Sequence, residues 1–291
     1  MDLLFPDTWK DYELLDSGGF EKLERFGQYI TIRPEPQAVW DKIWTDEEWE
    51  KKAHVKFIPQ SSSSGIWKKI KPMPDQWTLR YKTDNIDISF RLGLTSFKHV
   101  GIFPEQSVNW EYIADSIKKI KNPAPKFLNL FAYTGGASVV AKQAGADVLH
   151  VDSIKQVVTW ARENMELSRQ KDIRWIVEDA MTFVKREQKR GSKYQGIILD
   201  PPAFGHGPKG ESWKLERDIN EMIKIVCSLL DPKEHFFILN TYSLGFSAII
   251  LENLLRSNIN KNTKLKFGEL YIPSNSGNKL PLGIFARFCN C

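Results

Sequence analysis

Acidic side chains follow three short apolar runs of this sequence, each at the point where a buried strand would end. Asp152 follows the run 148–151, Asp179 follows the run 173–177, and Asp200 follows the run Gly196–Leu199. Short apolar runs bounded by turn residues are typical of strands buried in a parallel sheet. Because the carboxyl ends of such strands meet at the edge where open α/β sheets bind ligands, we expect the three carboxylates to share one site.

The segment 126–152 is predicted to be a nucleotide-binding strand–helix–strand unit. Residues 127–131 have the composition of a strand, Gly135 and Gly136 interrupt it, and a helical segment leads to a second strand. Glycine tolerates positive φ and lets the backbone approach a ligand closely. Asp152 lies about 20 residues after the turn, where a carboxylate can accept hydrogen bonds from the hydroxyls of a ribose.

The turn of this unit lacks the features of a phosphate site. A dinucleotide-binding turn has the pattern G-x-G-x-x-G, which admits a pyrophosphate at a helix N-terminus. Here the two glycines are adjacent, Asn129 precedes them, and the turn has no basic residue. We therefore predict a nucleoside ligand without a phosphate, which S-adenosylmethionine satisfies. A nicotinamide enzyme is the weaker alternative, and an ordinary turn without a ligand is another.

The segment 200–204, Asp-Pro-Pro-Ala-Phe, is predicted to face a planar substrate. Pro201 and Pro202 fix the backbone and remove two N–H donors, so carbonyl oxygens and the Asp200 carboxylate would face the pocket as acceptors. Phe204 could stack on a substrate that bears ring nitrogens or an amino group. Asp179 is placed to accept from an adenine amino group. The alternative for the double proline is a strand terminator followed by a buried phenylalanine.

Together these segments resemble the class I S-adenosylmethionine-dependent methyltransferases, in particular the bacterial large-subunit rRNA base methyltransferase family. The matching segments cover most of residues 95–245 and are 98–106, 129–136, 151–152, 178–180 and 199–204. The resemblance implies S-adenosylmethionine as cofactor. It implies cofactor-binding residues at Phe103, Gln106, Asn129, Phe131, Ala132, Tyr133, Thr134, Gly135, Asp152, Ser153, Asp179, Ala180 and Asp200. It places Asp200, Pro201, Pro202 and Phe204 at the catalytic side, where the methyl group is accepted.

The expected fold is α/β, a Rossmann-like class I methyltransferase sheet in residues 96–291 that is mostly parallel with an antiparallel last strand. Predicted helices at 154–168 and Ala180–Lys189 separate its strands, and a hairpin of 265–272 and 282–288 closes it. Residues 1–95 are expected to form a small N-terminal α+β domain. Its predicted elements are strands at 29–32, 55–58, 77–82 and 86–92, a helix at 40–52 and a low-complexity loop at 61–65.

A segment at 97–106 is expected to run to the ligand edge of the sheet and to continue as a helix to about Ile120. The resemblance implies that this segment covers the cofactor, and Phe103 and Gln106 match the pattern. Ser107 and Trp110 stand where arginines are expected from the family. The helix is therefore a doubtful source of phosphate or RNA contacts.

The absence of a cysteine from the segments beside the acceptor pocket predicts which atom of the substrate receives the methyl group. Family members that methylate cytosine C5 carry a cysteine in the segment 240–243, because attack by carbon needs a transient covalent adduct. The residue here is Tyr242, the segment 200–204 has no cysteine, and Cys227 falls within a predicted helix. Transfer to nitrogen needs only acceptors that orient the nucleophile. We therefore expect methylation of an RNA base at nitrogen rather than at cytosine C5, and the resemblance implies rRNA as the substrate.

Two alternatives for the function remain at this point. One is a methyltransferase for a small molecule or a protein, and the other is a non-catalytic RNA-binding protein on the same scaffold. A flexible loop is expected at 205–210, beside the acceptor pocket. In and after it, Lys209, Trp213 and Lys214 could grip a substrate phosphate or base, or the loop could be a mobile cap without chemistry.

Composition and charge are those of a basic globular protein. Apolar residues make up 42% and mean hydropathy is −0.38, and no apolar run reaches the ~18–20 residues of a membrane span. Residues 96–291 carry 27 of the 41 basic and 20 of the 36 acidic residues, a net +7, which a phosphate-bearing partner could use. Three cysteines without metal-ligand spacing predict no metal and a reducing cytoplasm, with a frayed tail at Cys289 and Cys291.

Overall fold

The computed structural model describes residues 1–61, 64–242 and 245–291. The strands are β1 (Asp2–Leu4), β2 (Tyr12–Gly18), β3 (Glu21–Phe26), β4 (Tyr29–Pro34), β5 (Val55–Pro59), β6 (Gly65–Lys69), β7 (Gln76–Lys82), β8 (Asp87–Gly93), β9 (Lys126–Leu130), β10 (Asp147–Asp152), β11 (Arg174–Val177), β12 (Gly196–Leu199), β13 (Phe204–His206), β14 (Ser212–Lys214), β15 (His235–Thr241), β16 (Lys266–Pro273) and β17 (Lys279–Asn290). The helices are α1 (Asp46–Lys52), α2 (Ser107–Lys119), α3 (Gly136–Gln143), α4 (Lys155–Leu167), α5 (Ala180–Lys189), α6 (Leu215–Ser228) and α7 (Ala248–Arg256).

The chain forms two compact units. The large unit consists of Met1–Leu4, Val108–Leu270 and Gly283–Cys291, and the small unit of Phe5–Ser107 and Tyr271–Leu282. The predicted boundary at residue 95 differs from this division. The small unit begins at Phe5, continues to Ser107 and also includes Tyr271–Leu282. Residues 96–107 begin with backbone bonds inside the small unit, from Gly65 N to Ser96 O and from Gly93 N to Val100 O. The turn at Asn275 donates to the carbonyl of Leu14 in the same unit.

An eight-stranded sheet is the framework of the large unit. Its strand order is β1-β16-β17-β15-β12-β9-β10-β11. The neighbours from β15 through β12, β9 and β10 to β11 are parallel, whereas β17 runs antiparallel to β15. This arrangement confirms the predicted mostly parallel sheet with an antiparallel last strand. The predicted strand Gly196–Leu199 and helix Ala180–Lys189 have the bounds expected from the sequence.

The strands of this sheet are apolar because helices cover them. All four residues of β12, and all but the first residue of β15 and β9, are buried. The large core cluster joins side chains of the parallel strands with the apolar faces of α5, α6 and α7. Burial on both faces explains why these strands form continuous apolar runs rather than alternating ones. Polar residues are therefore displaced to the strand ends.

The small unit contains a five-stranded sheet, β2-β3-β4-β5-β6, and the antiparallel pair β7-β8. Its helix α1 begins at Asp46, so the prediction of a helix from residue 40 is wrong. The physical reason is a capping box, in which the Thr45 hydroxyl accepts from Glu48 N and the Glu48 carboxylate accepts from Thr45 N. Ser62 and Ser63 of the predicted loop at 61–65 lie outside the described residues.

Buried charged side chains form hydrogen bonds and ion pairs within the small sheet. The Glu24 carboxylate accepts from Arg33 Nη2 at 2.6 Å and from the Tyr12 hydroxyl at 2.9 Å, and all three side chains are buried. Lys22 lies 3.6 Å from the same carboxylate. The cations lower the pKa of Glu24 against the opposing effect of burial, so the group is held as a carboxylate.

Candidate active site

The turn between β9 and α3 has an unusual backbone. Phe131 and Tyr133 have φ of 55° and 49°, and Gly135 has φ of 84°. The left-handed region is uncommon for large residues, and residues held there concentrate at ligand-binding turns. Gly135 N donates to Ala132 O, and Ala132 N donates to Val151 O of β10. The alternating conformations therefore fold the turn tightly against the end of the neighbouring strand.

Asp152 fixes this turn from the end of β10. Its Oδ2 accepts from Tyr133 N and its Oδ1 accepts from Ile154 N, both at 2.9 Å. Burial raises the pKa of Asp152, and the backbone N–H donors of Ile154, Tyr133 and Ser153 oppose that rise. The predicted ribose acceptor thus also has a structural task. Each carboxylate oxygen has further acceptor capacity for a hydroxyl.

The two glycines make room for protein atoms. A Cβ on Gly135 would lie 3.0 Å from Cβ of Ala161, and a Cβ on Gly136 would lie 2.7 Å from Cζ2 of Trp110. Trp110, where the resemblance leads one to expect an arginine, is buried in α2 and packs against the start of α3. The sequence prediction that both glycines serve close approach of a ligand is therefore incomplete, because Gly136 serves close packing of α2.

A buried polar chain lies beneath the turn. Asn129 Nδ2 donates to the Ser138 hydroxyl at 2.9 Å, and this hydroxyl lies 3.0 Å from His150 Nδ1. Burial lowers the pKa of His150 to about 3, so the ring is neutral at physiological pH. Asn129 is a predicted cofactor residue. In the structure its side-chain amide donates a hydrogen bond to Ser138, a residue of α3. Sequence reasoning missed His150, because it sits inside an apolar strand and matches no motif.

Asp179 lies at the end of the adjacent strand as the N-cap of α5. Its Oδ1 accepts from Thr182 N at 2.8 Å, and both Asp179 and the following Ala180 are buried. Asp152 pairs in register with Val177, so these strand ends are neighbours. Ile154 and Val177 are 50% and 41% exposed beside the acids. An apolar surface next to acceptors suits a planar heterocycle, and sequence reasoning missed it because both residues resemble ordinary core positions.

The corner at Asp200 follows β12. Asn240 Nδ2, at the end of β15, donates to Asp200 Oδ1 at 3.1 Å. Burial raises the pKa of Asp200 to about 6, and the bond from Asn240 opposes that rise. The proline carbonyls already accept from protein, Pro201 O from the Thr241 hydroxyl and Pro202 O from Trp213 Nε1. The carboxylate is therefore a stronger candidate for a substrate contact than the predicted carbonyl oxygens.

The segment after Asp200 is a hairpin, so the predicted loop at 205–210 is confirmed for residues 207–210, which connect the two strands, and is wrong for Gly205 and His206, which belong to β13. Strands β13 and β14 pair antiparallel, and the bond from Leu215 N to Ala203 O closes their base. Trp213 is buried with its ring 4.9 Å from that of Phe131, which excludes the predicted substrate contact. Phe204 is 66% exposed, so the alternative of a buried phenylalanine is also wrong.

Three of the other predicted cofactor residues have contacts within their own unit. Phe103 and Gln106 belong to the small unit, where the Phe103 ring contacts His99 and Gln106 is buried as the last residue of a short 3₁₀ turn, Pro104–Gln106. Thr134 is buried, and its carbonyl accepts from Asn164. Their contacts with a cofactor stay predictions, as do those of the other residues named for the site.

The cysteines lie away from the Asp200 corner. Cys227 is in the last turn of α6, and burial raises the pKa of its thiol to about 12. The end of this helix meets the other edge of the sheet, since Leu229 O accepts from Tyr194 N just before β12. Cys289 and Cys291 form a disulfide and β17 extends to Asn290, so the predicted frayed tail is wrong. Ser243, in the segment compared with cysteine-bearing relatives, lies outside the described residues.

The described residues, 1–61, 64–242 and 245–291, contain neither a cluster of metal-binding side chains nor a membrane-spanning helix. Among them, no group of three or more His, Cys, Asp or Glu side chains could hold a metal ion. In the same parts of the chain, no helix has both the length and the apolar character that a membrane crossing requires.

Comparison with known proteins identifies the family. The sequence profile of the S-adenosylmethionine-dependent methyltransferases matches residues 54–270, about three quarters of the chain. The chain belongs to this family. The crystal structure of the SAM-dependent methyltransferase from Agrobacterium tumefaciens is 36% identical, with a TM-score of 0.92 over 100% of this chain and 94% of that one. The cofactor of this methyltransferase is S-adenosylmethionine.

Two more distant relatives extend the comparison. The ribosomal RNA large subunit methyltransferase K/L of Shewanella frigidimarina is 32% identical over 162 residues, which are 54% of this chain and 22% of that protein. The chain thus spans about a fifth of the length of that relative. The structure of SMU.776 complexed with SAH is 17% identical and has a TM-score of 0.72, covering 97% of this methyltransferase and 76% of that chain. That likeness shows the fold alone.

The residues at the carboxyl edge of the sheet fit this cofactor. Asp152 offers a partly buried carboxylate whose two oxygens are already oriented by backbone N–H groups. Ile154 and Val177 offer the apolar surface that a purine ring requires beside it, and Asp179 adds an acceptor. The turn at 131–135 contributes no cation, as suits a ligand without phosphate.

Proposed function

We propose that this methyltransferase transfers the methyl group of S-adenosylmethionine to a nitrogen of an RNA base, and that the RNA is ribosomal. The observation that carries the proposal is the corner after β12, where the partly buried carboxylate of Asp200, with a pKa of about 6, lies four residues before the exposed ring of Phe204. A carboxylate of this kind can accept an N–H, and the ring of Phe204 can stack on a base that has left its helix.

For the cofactor, we propose that Asp152 accepts hydrogen bonds from the ribose hydroxyls and Asp179 from the adenine amino group. Phe131, Ala132, Tyr133, Thr134 and Gly135 would line the methionine part, with Ser153 and Ala180 beside the nucleoside. Phe103 and Gln106 would cover it, and Asn129 would support the turn from below. The support for this assignment is the convergence of the strand ends that carry the acids.

The bound cofactor supplies an electrophilic methyl group on a positively charged sulfur. Asp200 would accept the N–H of the target nitrogen and so aim its lone pair along the line of the breaking S–C bond. As the N–C bond forms, the nitrogen gains positive charge, and its proton can pass to the carboxylate or to water. Attack by cytosine C5 is disfavoured, because Cys227 lies in the last turn of α6, away from the Asp200 corner, and Cys289 and Cys291 are disulfide-bonded to each other.

Methylation of a small molecule or a protein is the second candidate. The observation in its favour is the packing role of Trp110, which occupies a position where an arginine could have reached a phosphate.

The rRNA proposal rests on the names of relatives that this chain matches over part of their length. It also implies action in the cytoplasm, where ribosomal RNA is modified.

Modification mapping tests the proposal. Ribosomal RNA from cells with and without the gene would be digested and compared by mass spectrometry, and the purified protein would then be given the RNA from the deletion cells with labelled S-adenosylmethionine. We expect one N-methylated nucleoside to disappear in the deletion cells and to return in vitro. Retention of every methylated nucleoside would contradict an rRNA substrate, and appearance of 5-methylcytidine would contradict transfer to nitrogen.

A further inference from the structure

The hairpin β13–β14 has one exposed face that extends from Phe204, the ring proposed to stack on the target base, to residues with no role in the cofactor or acceptor site. We infer that this face binds the single-stranded RNA segment that carries the target base, with Lys214 on a phosphate next to the base held by Phe204. The inference rests on the proposed function, since it names the surface that would bring RNA to the Asp200 corner.

The strand register divides the hairpin into two faces. Phe204 pairs with Lys214, His206 with Ser212, and Gly205 with Trp213. Directly paired residues of an antiparallel ribbon share a face, and neighbours along a strand alternate. The four residues of the first two pairs are all exposed, whereas Trp213 is buried. An aromatic ring, an imidazole, a hydroxyl and an ammonium group therefore form one exposed surface.

The opposite face of the hairpin anchors this surface. Trp213 Nε1 donates to Pro202 O at 2.7 Å, and the Trp213 ring packs against Phe131. Arg217, in the first turn of α6, donates to Ser212 O. The exposed face is thus attached to the acceptor corner and to the cofactor turn, so a phosphate bound at Lys214 would have a fixed position relative to Asp200.

The exposed face carries the ammonium group of Lys214 and no carboxylate among its four residues, whereas Glu216 is an exposed acid in the helix that follows. Asp218 pairs with Arg217 and accepts from the backbone N–H of Lys214, and Glu211 accepts from Lys209 N. In the described part of the chain, the ammonium group of Lys214 has no carboxylate partner. A cation beside an exposed aromatic ring is complementary to a phosphate and an unstacked base, the combination that proteins use for single-stranded nucleic acid.

The test is steady-state methylation of large-subunit RNA from cells that lack the gene, with full-length wild type and the variants Lys214→Glu, Lys214→Gln and Lys214→Arg. Lys224→Glu is the matched control, since Lys224 is an exposed lysine on α6 of the same unit. For Lys214→Glu we expect the KM for RNA to rise about tenfold, with the affinity for S-adenosylmethionine unchanged as evidence of folding. Lys214→Gln should give a smaller rise, and Lys214→Arg and Lys224→Glu should stay within about twofold of wild type.

The salt dependence of RNA binding gives a second readout that a merely structural effect would not produce. Loss of one phosphate contact should make the slope of log K against log salt shallower by about 0.7 for Lys214→Glu. A wild type that methylates the RNA, with KM and salt slope unchanged in Lys214→Glu, overturns this inference and leaves the proposed function intact. Label absent from RNA, or found in ribosomal protein when whole subunits are supplied, overturns both.

Discussion

Replacing Asp200 with asparagine should make the protein more stable and less active, and the gain in stability should depend on pH. Burial raises the pKa of Asp200 from 3.8 to about 6, so the folded protein favours the protonated carboxyl. A shift of about 2 pKa units corresponds to roughly 3 kcal/mol between the two protonation states. The stabilisation by the bound proton is complete below the unfolded pKa and is lost as the pH rises through about 6.

An asparagine does not ionise and keeps an oxygen that can accept from Asn240 Nδ2. The variant should therefore match wild type near pH 4 and exceed its free energy of unfolding by up to about 3 kcal/mol near pH 7.5. Urea denaturation followed by tryptophan fluorescence across this range measures the difference. Asp115→Asn, which changes an exposed carboxylate of α2, should give a curve parallel to wild type.

The variant Asp200→Asn also tests whether Asp200 acts on the methyl acceptor or on the cofactor. If Asp200 orients the acceptor, Asp200→Asn should lower kcat by about 100-fold or more while the Kd for S-adenosylmethionine changes little. A stability difference that is flat from pH 4 to pH 7.5 would refute the raised pKa. A collapse of cofactor affinity would show that Asp200 belongs to the cofactor site and not to the acceptor side.

Three further changes test the rest of the structure. Asp152→Ala should weaken binding of S-adenosylmethionine by about 1–3 kcal/mol in calorimetry, because the ribose loses a charged acceptor, and an unchanged Kd would contradict that role. Gly136→Ala should lower the free energy of unfolding by roughly 1–3 kcal/mol through overlap with Trp110, whereas Gly245→Ala, which has open space around it, should cost less than about 0.5 kcal/mol. Glu24→Ala leaves a buried guanidinium without its carboxylate and should cost about 3–5 kcal/mol by urea denaturation; a loss below about 1 kcal/mol would argue against the buried network.

The sheet could be predicted from the sequence because its strands are buried on both faces. Such strands form unbroken apolar runs, and the polar residues that they exclude gather at their ends. Asp152 and Asp200 stand out for this reason, and the resemblance to methyltransferases follows from the motifs around them. The pattern of burial and the position of the acids thus have the same physical cause.

The interactions that could not be predicted depend on contacts between distant parts of the chain. Nothing near Gly136 indicates that Trp110 will fill the space beside it. The hairpin β13–β14 has only three residues in each strand, and its glycines and proline resemble a loop. Its order comes from Trp213, whose partner is the carbonyl of Pro202, and short-range sequence patterns do not contain that information.

The three carboxylates at the sheet edge have different hydrogen-bond donors among those the structure shows, and the proposed division of roles starts from these donors. Asp152 accepts from two backbone N–H groups, including that of Tyr133, and Asp179 accepts from the start of a helix. Hydrogen bonds from the backbone orient these two carboxylates for binding hydroxyl or amino groups. Burial raises the pKa of Asp200 to about 6, and the hydrogen bond from the side-chain amide of Asn240 opposes that rise. A carboxylate whose charge changes close to neutral pH can accept the proton that the proposed transfer to nitrogen would release.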